Sequence, residues 1–513
     1  MLARIYAAPG YAIVLFLLWL GLGTLRAANP PTAVTITPAD KNVQSIVDSH
    51  PAGTVFTFEP GTYRLLSIKP KDGDHFIGNP GAIFNGSEQL NFHKANDKLW
   101  VAVMHDTSPE AVGGACETGA KNADGTKYTI GCDHARDLFW DDKVVWRVAT
   151  LQETAPGKWF FDSASHKVYV ADDPSGHVVE IGETQTAIHG NNSDIEISGL
   201  TIEKYANRTQ SGAIACGEFV NGEKTQGPGW TIENNVLTLN HYSGIKMIQC
   251  SNAHILNNKF LRNGNTGLDG VATDNSVMEG NEIAFNNYAH FSGGWECGGS
   301  KFVETTNFTA KNNNVHDNFG TGLWFDIDCK NVTISNNTVD KNYDSGILYE
   351  ISRQATIVDN VSRLNGIASR HFDPWANEAQ IQVSASSDVT VEHNTAVAGN
   401  WGNGITVIQQ NRGAGKFGPY WATRVVVEHN DITYLTPRTT TTGASEDTGK
   451  FYGPITFDYN TYHDAQGGNS PHWRWNAILN WAQFRKLGQE EHGTVDKVIP
   501  PADVALASTV PPK

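Results

Sequence analysis

Two acidic residues in matching surroundings carry the chemical interest of the sequence. Asp326 lies in the segment TGLWFDID and Glu350 in SGILYEIS. In both segments apolar and polar residues alternate after a glycine, the pattern of a strand with one face buried. One face of the first segment carries Leu323, Phe325 and Ile327, and the other Trp324, Asp326 and Asp328. In the second, Ile347, Tyr349 and Ile351 oppose Leu348, Glu350 and Ser352. If the two segments are neighbours in one sheet, Asp326 and Glu350 share a solvent-facing row. Strands lie about 4.8 Å apart, so the two carboxyl groups stand roughly 5–6 Å from each other, near the separation of a retaining glycosidase pair. One carboxylate can then attack an anomeric carbon while the other, its pKa raised by like-charge repulsion, protonates the departing oxygen.

Other candidates surround this pair. Asp269 and Lys246 fall two and three coils earlier on the same face, Glu296 and Lys301 belong to the intervening coil, and Asp328 projects one step beyond Asp326. Three long insertions, 284–298, 366–379 and 409–421, are placed to wall this face, and they carry Trp295, Trp375 and Trp421. Trp401 precedes a further strand, and His371 stands with Arg370 and Asp373 in the middle insertion. With Trp324, these aromatic rings suit the apolar faces of sugars, and loops on a rigid scaffold are where binding residues gather. For any single one, packing of the loop or a solvated charge is an equally good account.

What must position these residues is a repeat. Asparagine followed two residues later by an apolar side chain recurs at Asn235, Asn258, Asn281, Asn313, Asn337, Asn360, Asn394 and Asn430, with spacings of 23, 23, 32, 24, 23, 34 and 36. The short spacings define a coil, and the long ones are a coil plus an insertion. Each coil reads as a strand, an Asn turn, a second strand, a polar turn, and a glycine leading into a third strand. Three short strands per coil predict an all-β, right-handed parallel β-helix solenoid, with turn asparagines stacking through their amides. The regular leucine ladder and helical segments of a leucine-rich horseshoe are missing.

The rest of the chain is read around this solenoid. Residues 1–28 have the form of a signal peptide, with Arg4 ahead of an apolar run from Ala12 to Leu22, and imply a secreted, periplasmic or extracellular protein with no stable membrane insertion after cleavage. Residues 32–91 read as an N-terminal cap, with a short helix from Val43 to Asp48, and the first coils. Residues 92–184 break the repeat and predict an inserted small antiparallel β-sandwich or barrel. Residues 185–440 form the solenoid core, the Trp-rich stretch 441–498 a C-terminal cap, and 499–513 a disordered tail. Secretion permits disulfides. Of the six cysteines, Cys116 and Cys132 bracket a short loop and make the best pair, and the others read as small buried residues. No spacing resembles a zinc site. The 38 basic and 54 acidic residues leave a net charge of −16, which excludes nucleic acid as a partner. It also disfavours strongly polyanionic sugars unless a local basic cleft overrides the sum.

The segment from Asn191 to Val427 resembles the parallel β-helix, pectin lyase-like superfamily, and the inserted segment is familiar in its glycoside hydrolases. The strands GLWFDID and GILYEIS are similar to the active-site strands of the β-helix β-xylosidases. That resemblance implies Asp326 as nucleophile and Glu350 as acid/base. The Ile351-Ser352-Arg353 that follows Glu350 departs from that pattern, so the resemblance does not fix the sugar. The expectation is a secreted carbohydrate-active enzyme, a retaining glycoside hydrolase needing no cofactor. Two alternatives stand beside it. One is a lyase or epimerase with Asp326, Asp328 and Glu350 recast as Ca²⁺ ligands. The other is a non-catalytic carbohydrate-binding surface protein, whose sequence would show regular coils and few insertions on one face.

Overall fold

The turns set the path of the chain. The residue before each ladder asparagine adopts a left-handed conformation, as at Asn234 (φ 56°), Asn257 (φ 54°), Gly280 (φ 69°), Asn312 (φ 57°) and Asn336 (φ 55°). Asparagine and glycine tolerate this geometry best, which explains the recurring Asn-Asn and Gly-Asn pairs. The following asparagine is buried and donates its Nδ2 to the Oδ1 of the next coil's asparagine. This spine runs Asn235, Asn258, Asn281, Asn313, Asn337, Asn360, Asn394, Asn430 and Asn460 at 2.9–3.2 Å, and it ends on Glu490 at 2.7 Å. A second spine crosses the next turn, through Asn240, Asn263, Asn286, Asn318, Asn342 and Asn365 to Gln380.

The computed structural model describes residues 33–106, 108–117, 132–217, 226–367, 377–436 and 440–507, with the backbone of 219–220 and 223–224. Three long sheets wrap one core. The first has 13 strands, from Ala33–Ile36 to Ile455–Asp458. The second has 13, from Gly61–Arg64 to Thr494–Asp496. The third has 12, from Ile188–Gly190 to Ala477–Leu479. Pairing within them is parallel and in register from coil to coil, except at the end of the third sheet, where Trp473–Trp475 pairs antiparallel with Ala477–Leu479. Inward side chains stack along the axis, as in Phe56 on Phe76 and Phe302 on Phe325. The helix Val43–Ser49, capped by the Asn42 side chain, buries Val43 and Val47 against the first coils, as the sequence implied.

The inserted segment begins slightly earlier than expected, at Ser87. It forms an eight-stranded sheet with its own core of Leu138, Trp159, Phe161, Val168 and Ile181. Most of its pairings are antiparallel, but Lys143–Arg147 runs parallel to Lys158–Asp162, so two antiparallel ribbons join into one sheet. Polar contacts tie it to the solenoid: Arg64 to Glu180 at 2.6 Å, Lys204 to both Glu180 and Asp142, and Asp137 to His241 and Tyr288 at 2.8 and 2.6 Å. The expected disulfide Cys116–Cys132 is present. Cys216 and Cys250, read as small core residues, form a second one, and Cys297 and Cys329 are free and buried. The tail read as disordered contains a helix, Pro501–Ala507, whose Asp503 accepts a hydrogen bond from the Thr433 hydroxyl at 2.7 Å. Its richness in Pro and Ala made that stretch look unstructured, but Asp503 is buried where it meets the solenoid. The proposed signal peptide lies outside the described residues. Among the described residues no helix is long and apolar enough to cross a membrane.

Candidate active site

The third sheet sets the register of the acidic pair. Leu323, Trp324 and Phe325 pair with Ile347, Leu348 and Tyr349, and the next residues along the two strands are Asp326 and Glu350. Leu323, Phe325, Ile347 and Tyr349 fill the core, so both acids point outward from adjacent coils. One expectation needs correction: this row is not open to solvent. Asp326 is 4% exposed and the Glu350 side chain 13%. Neighbouring cations and a folded-back loop cover them.

Lys301 is the hub of the covering groups. Its ammonium lies 2.9 Å from Asp326 Oδ2, 2.5 Å from the Trp295 carbonyl, and 3.6 Å from the centroid of the Trp324 ring. The other Asp326 oxygen accepts the Ile327 N–H at 2.8 Å. Asp326 is thus held between a cation and a backbone donor. Trp324 was expected as an exposed stacking platform. It is instead buried, one ring face is taken by Lys301, and its indole N–H has no partner among the described residues.

Glu350 is supported differently. Burial, followed by the Asp326 charge, pushes its pKa above the ordinary glutamate value, while Arg412 and Lys301 pull the other way. Arg412 pairs directly with Glu350 from a loop that leaves the strand Asn403–Gln409, two coils further on. This strap lies back across the sheet. Lys416 donates its N–H to Asp328 at 2.8 Å, Arg353 donates to the Pro419 carbonyl at 3.1 Å, and Tyr420 packs with Ile351 and Ala385. Asp328 is therefore not one step further along the strand. The strand ends at Asp326, and Ile327 and Asp328 both turn left-handed (φ 45° and 58°) so that Asp328 anchors the strap.

The remaining candidates divide. Lys246, Asp269, Lys301 and Trp324 occupy one continuous row, beside the Asp326 row. Asp269 pairs with Lys246 and accepts the hydroxyls of Ser243 and Thr266 at 2.6 and 3.0 Å. Burial works against the charge on Lys246, but Asp269 and then Glu296 outweigh it and hold its pKa above the usual lysine value. Glu296 accepts the Tyr242 hydroxyl, and burial raises its pKa against the pull of Lys246. Trp295, 38% exposed, borders this strip, and Tyr242, Phe291 and Cys297 pack the wall behind it. Trp421, 41% exposed, stacks on Tyr452 at 4.7 Å at the end of the strap. Trp401 is half-buried before the strand Asn403–Gln409, two coils from Glu350. His371 and Trp375 lie outside the described residues. Sequence reasoning missed Arg412, Tyr242 and Tyr420. Tyr242 precedes a third-strand glycine by two residues and was open to the same alignment as Lys246, whereas nothing local marks Arg412 as a partner of Glu350.

Comparisons with known proteins address the fold. The family described as "Right handed beta helix region" matches residues 217–380. The solved complex of XylC with xylose is similar over 92% of this chain and 87% of that one, at 14% identity and a TM-score of 0.61. The A-module of the mannuronan C-5 epimerase AlgE6 from Azotobacter vinelandii is similar over 90% and 94%, at 14% identity and a TM-score of 0.46. No significant match is found among curated protein sequences. In-register parallel coils, the match to that family over residues 217–380 and the likeness to XylC along most of both chains show the fold to be a right-handed parallel β-helix.

Proposed function

We propose that the protein is a carbohydrate-active enzyme, a retaining glycoside hydrolase that cleaves an oligo- or polysaccharide on the outer face of the third sheet. The observation that carries this reading is the unequal support of two adjacent carboxyl groups. Asp326 faces the Lys301 ammonium and the Ile327 N–H, and Glu350 is biased toward its protonated form by burial and by Asp326. One nucleophile and one proton donor on neighbouring strands, about 4.8 Å apart at the backbone, meet the short spacing of double displacement. Asp326 attacks the anomeric carbon as Glu350 protonates the leaving oxygen, and Glu350 then removes a proton from the water that releases the glycosyl group. The unpartnered indole N–H of Trp324, beside the pair, is a donor for a substrate hydroxyl. XylC, solved with xylose, shares the fold and supports a carbohydrate ligand.

The Ca²⁺-dependent lyase or epimerase reading fits these residues less well. Asp326 faces Lys301, Glu350 faces Arg412, and Asp328 is spent on the Lys416 N–H. Among the described residues no three His, Cys, Asp or Glu side chains converge as a metal site would require. The test is a panel of plant and microbial glycans assayed for new reducing ends and for the ultraviolet absorbance of unsaturated products. We expect reducing ends without that absorbance, and a loss of at least about a thousandfold in Asp326→Asn and Glu350→Gln, with unchanged circular dichroism. Wild-type turnover in either variant, or unsaturated products, would refute the assignment.

A further inference from the structure

A cleft of about 350 Å³ opens on the same outer face, toward the N-terminal end of the third sheet. Its position follows from register. Along one row the outward residues are His189, Ala215, Lys246, Asp269, Lys301 and Trp324. The small Ala215 between His189 and Lys246 leaves the dent, and Arg208, Gln210 and Ser211 stand along its edge. From Ala215 to Trp324 is four strand spacings, about 19 Å. The cleft is therefore in line with the acidic pair but several sugar units away.

The charges of the two regions are opposite in character. Around the pair stand Asp269, Glu296, Asp326, Asp328 and Glu350, set against Lys246, Lys301 and Arg412. A sugar carboxylate placed there would meet two buried acids. Among the described residues, the lining of the cleft contains Arg208, His189 and Lys246 and no carboxylate. Lys246 is neutralised by Asp269, but Arg208 is exposed and its guanidinium has no carboxylate partner among the described residues. In a chain of net charge −16, a pocket whose described lining sets Arg208 beside amides and hydroxyls is a local exception.

We infer that this cleft holds the carboxylate of an isolated uronic acid, borne by a glycan that is neutral where it is cut. Arg208 supplies the two-pronged contact that a planar carboxylate accepts, and Gln210 and Ser211 take hydroxyls of the same sugar. A continuous polyuronate is the wrong ligand, because seating one carboxylate in the cleft would bring others against Asp326 and Glu350. The inference rests on the carbohydrate reading of the groove, though not on the reaction it performs.

Binding separates the two. The full-length Glu350→Gln protein is applied to an array of neutral glycans, glycans with isolated glucuronic acid branches, and homopolyuronates. Retention is expected to be strongest on the isolated-uronate glycans and to fall with salt. Arg208→Ala should weaken that retention about tenfold, the worth of one charge-assisted contact, and leave neutral glycans unaffected, with Arg208→Lys between the two. Equal retention by Arg208→Ala, strongest retention of homopolyuronates, or no preference for acidic over neutral glycans would overturn the inference. Hydrolysis by the wild-type protein is measured separately. Selective, Arg208-dependent retention without hydrolysis would refute the glycosidase and leave this site standing, whereas hydrolysis together with retention of the isolated-uronate glycans that is unchanged in Arg208→Ala would do the reverse.

Discussion

The Lys301 ammonium bridges one coil to the next: it lies 2.9 Å from Asp326 Oδ2 while capping the ring of Trp324, two residues earlier on that strand. Both side chains of the pair are less than a tenth exposed. Removing one partner of a buried ion pair leaves an uncompensated charge, at a cost of about 3–5 kcal/mol. Lys301→Met is therefore expected to lower the melting temperature and to cut kcat/KM by a hundredfold or more, since Asp326 loses the contact that positions it. Thermal melts and kinetics on the best substrate check this. Intact activity would remove Lys301 from the account.

Arg412 is expected to set the alkaline limit of activity. Glu350 works as an acid only while protonated, and Arg412 is the largest of the influences lowering its pKa. In Arg412→Ala the opposing influences, burial and the Asp326 charge, act with less resistance, so the pKa of Glu350 rises further. The alkaline limb of the kcat/KM profile should move to higher pH, while kcat falls because Glu350 loses the contact that orients it. A limb that stays put or moves down would show that Glu350 is not the group titrating there.

Asp344 gives a pH effect on stability that is separate from catalysis. It lies in the turn before the strand Ile347–Glu350. Burial, then Glu378 and Glu117, push its pKa to about 7. The folded protein thus keeps a proton that the unfolded chain releases near pH 4. Its contribution is fully present below that value and is lost as pH rises toward about 7. Asp344→Asn should change little at pH 4 and stabilise by about 1–2 kcal/mol at pH 8, after allowing for the side chain's partial exposure. Denaturation at the two pH values tests it, and equal effects at both would refute it.

Asn313 tests the spine. Its Nδ2 reaches the Met278 carbonyl at 3.0 Å and Asn337 Oδ1 at 2.9 Å, and its Oδ1 accepts the N–H and Nδ2 of Asn281 at 3.0 Å each. Asn313→Ala leaves several buried groups unpaired at once, for a loss of about 3 kcal/mol or more. Asn312→Ala should cost less, because that neighbour is exposed and the loss is mainly that of a residue suited to left-handed φ. Comparing the two melts separates ladder bonding from turn geometry.

Much of this was legible because a solenoid writes its fold locally. The period of Asn258, Asn281 and Asn313 placed each third strand, and two-residue alternation then put Asp326 beside Glu350. The second spine was equally legible, since Asn240, Asn263 and Asn286 follow the first at a constant offset, yet a single alignment point hid it. What the repeat does not encode is how an insertion folds back. Arg412 comes 62 residues after Glu350, and only the path of the strap joins them. Burial of the pair was missed for the same reason: alternation tells which way Asp326 points, not what lies over it. Cys216 and Cys250 pair across coils whose connection departs from the short period, which left their spacing of 34 uninformative.

The step from Asn281 to Asn313 spans 32 residues and that from Asn258 to Asn281 spans 23, yet both close on the same amide contact at 3.0 and 3.2 Å. Surplus chain is thus expelled sideways without shifting the strands on either side of it. A lineage can lengthen, shorten or exchange the walls that choose a ligand while the reacting groups stay in place, so recognition and chemistry are free to change at different rates within one molecule.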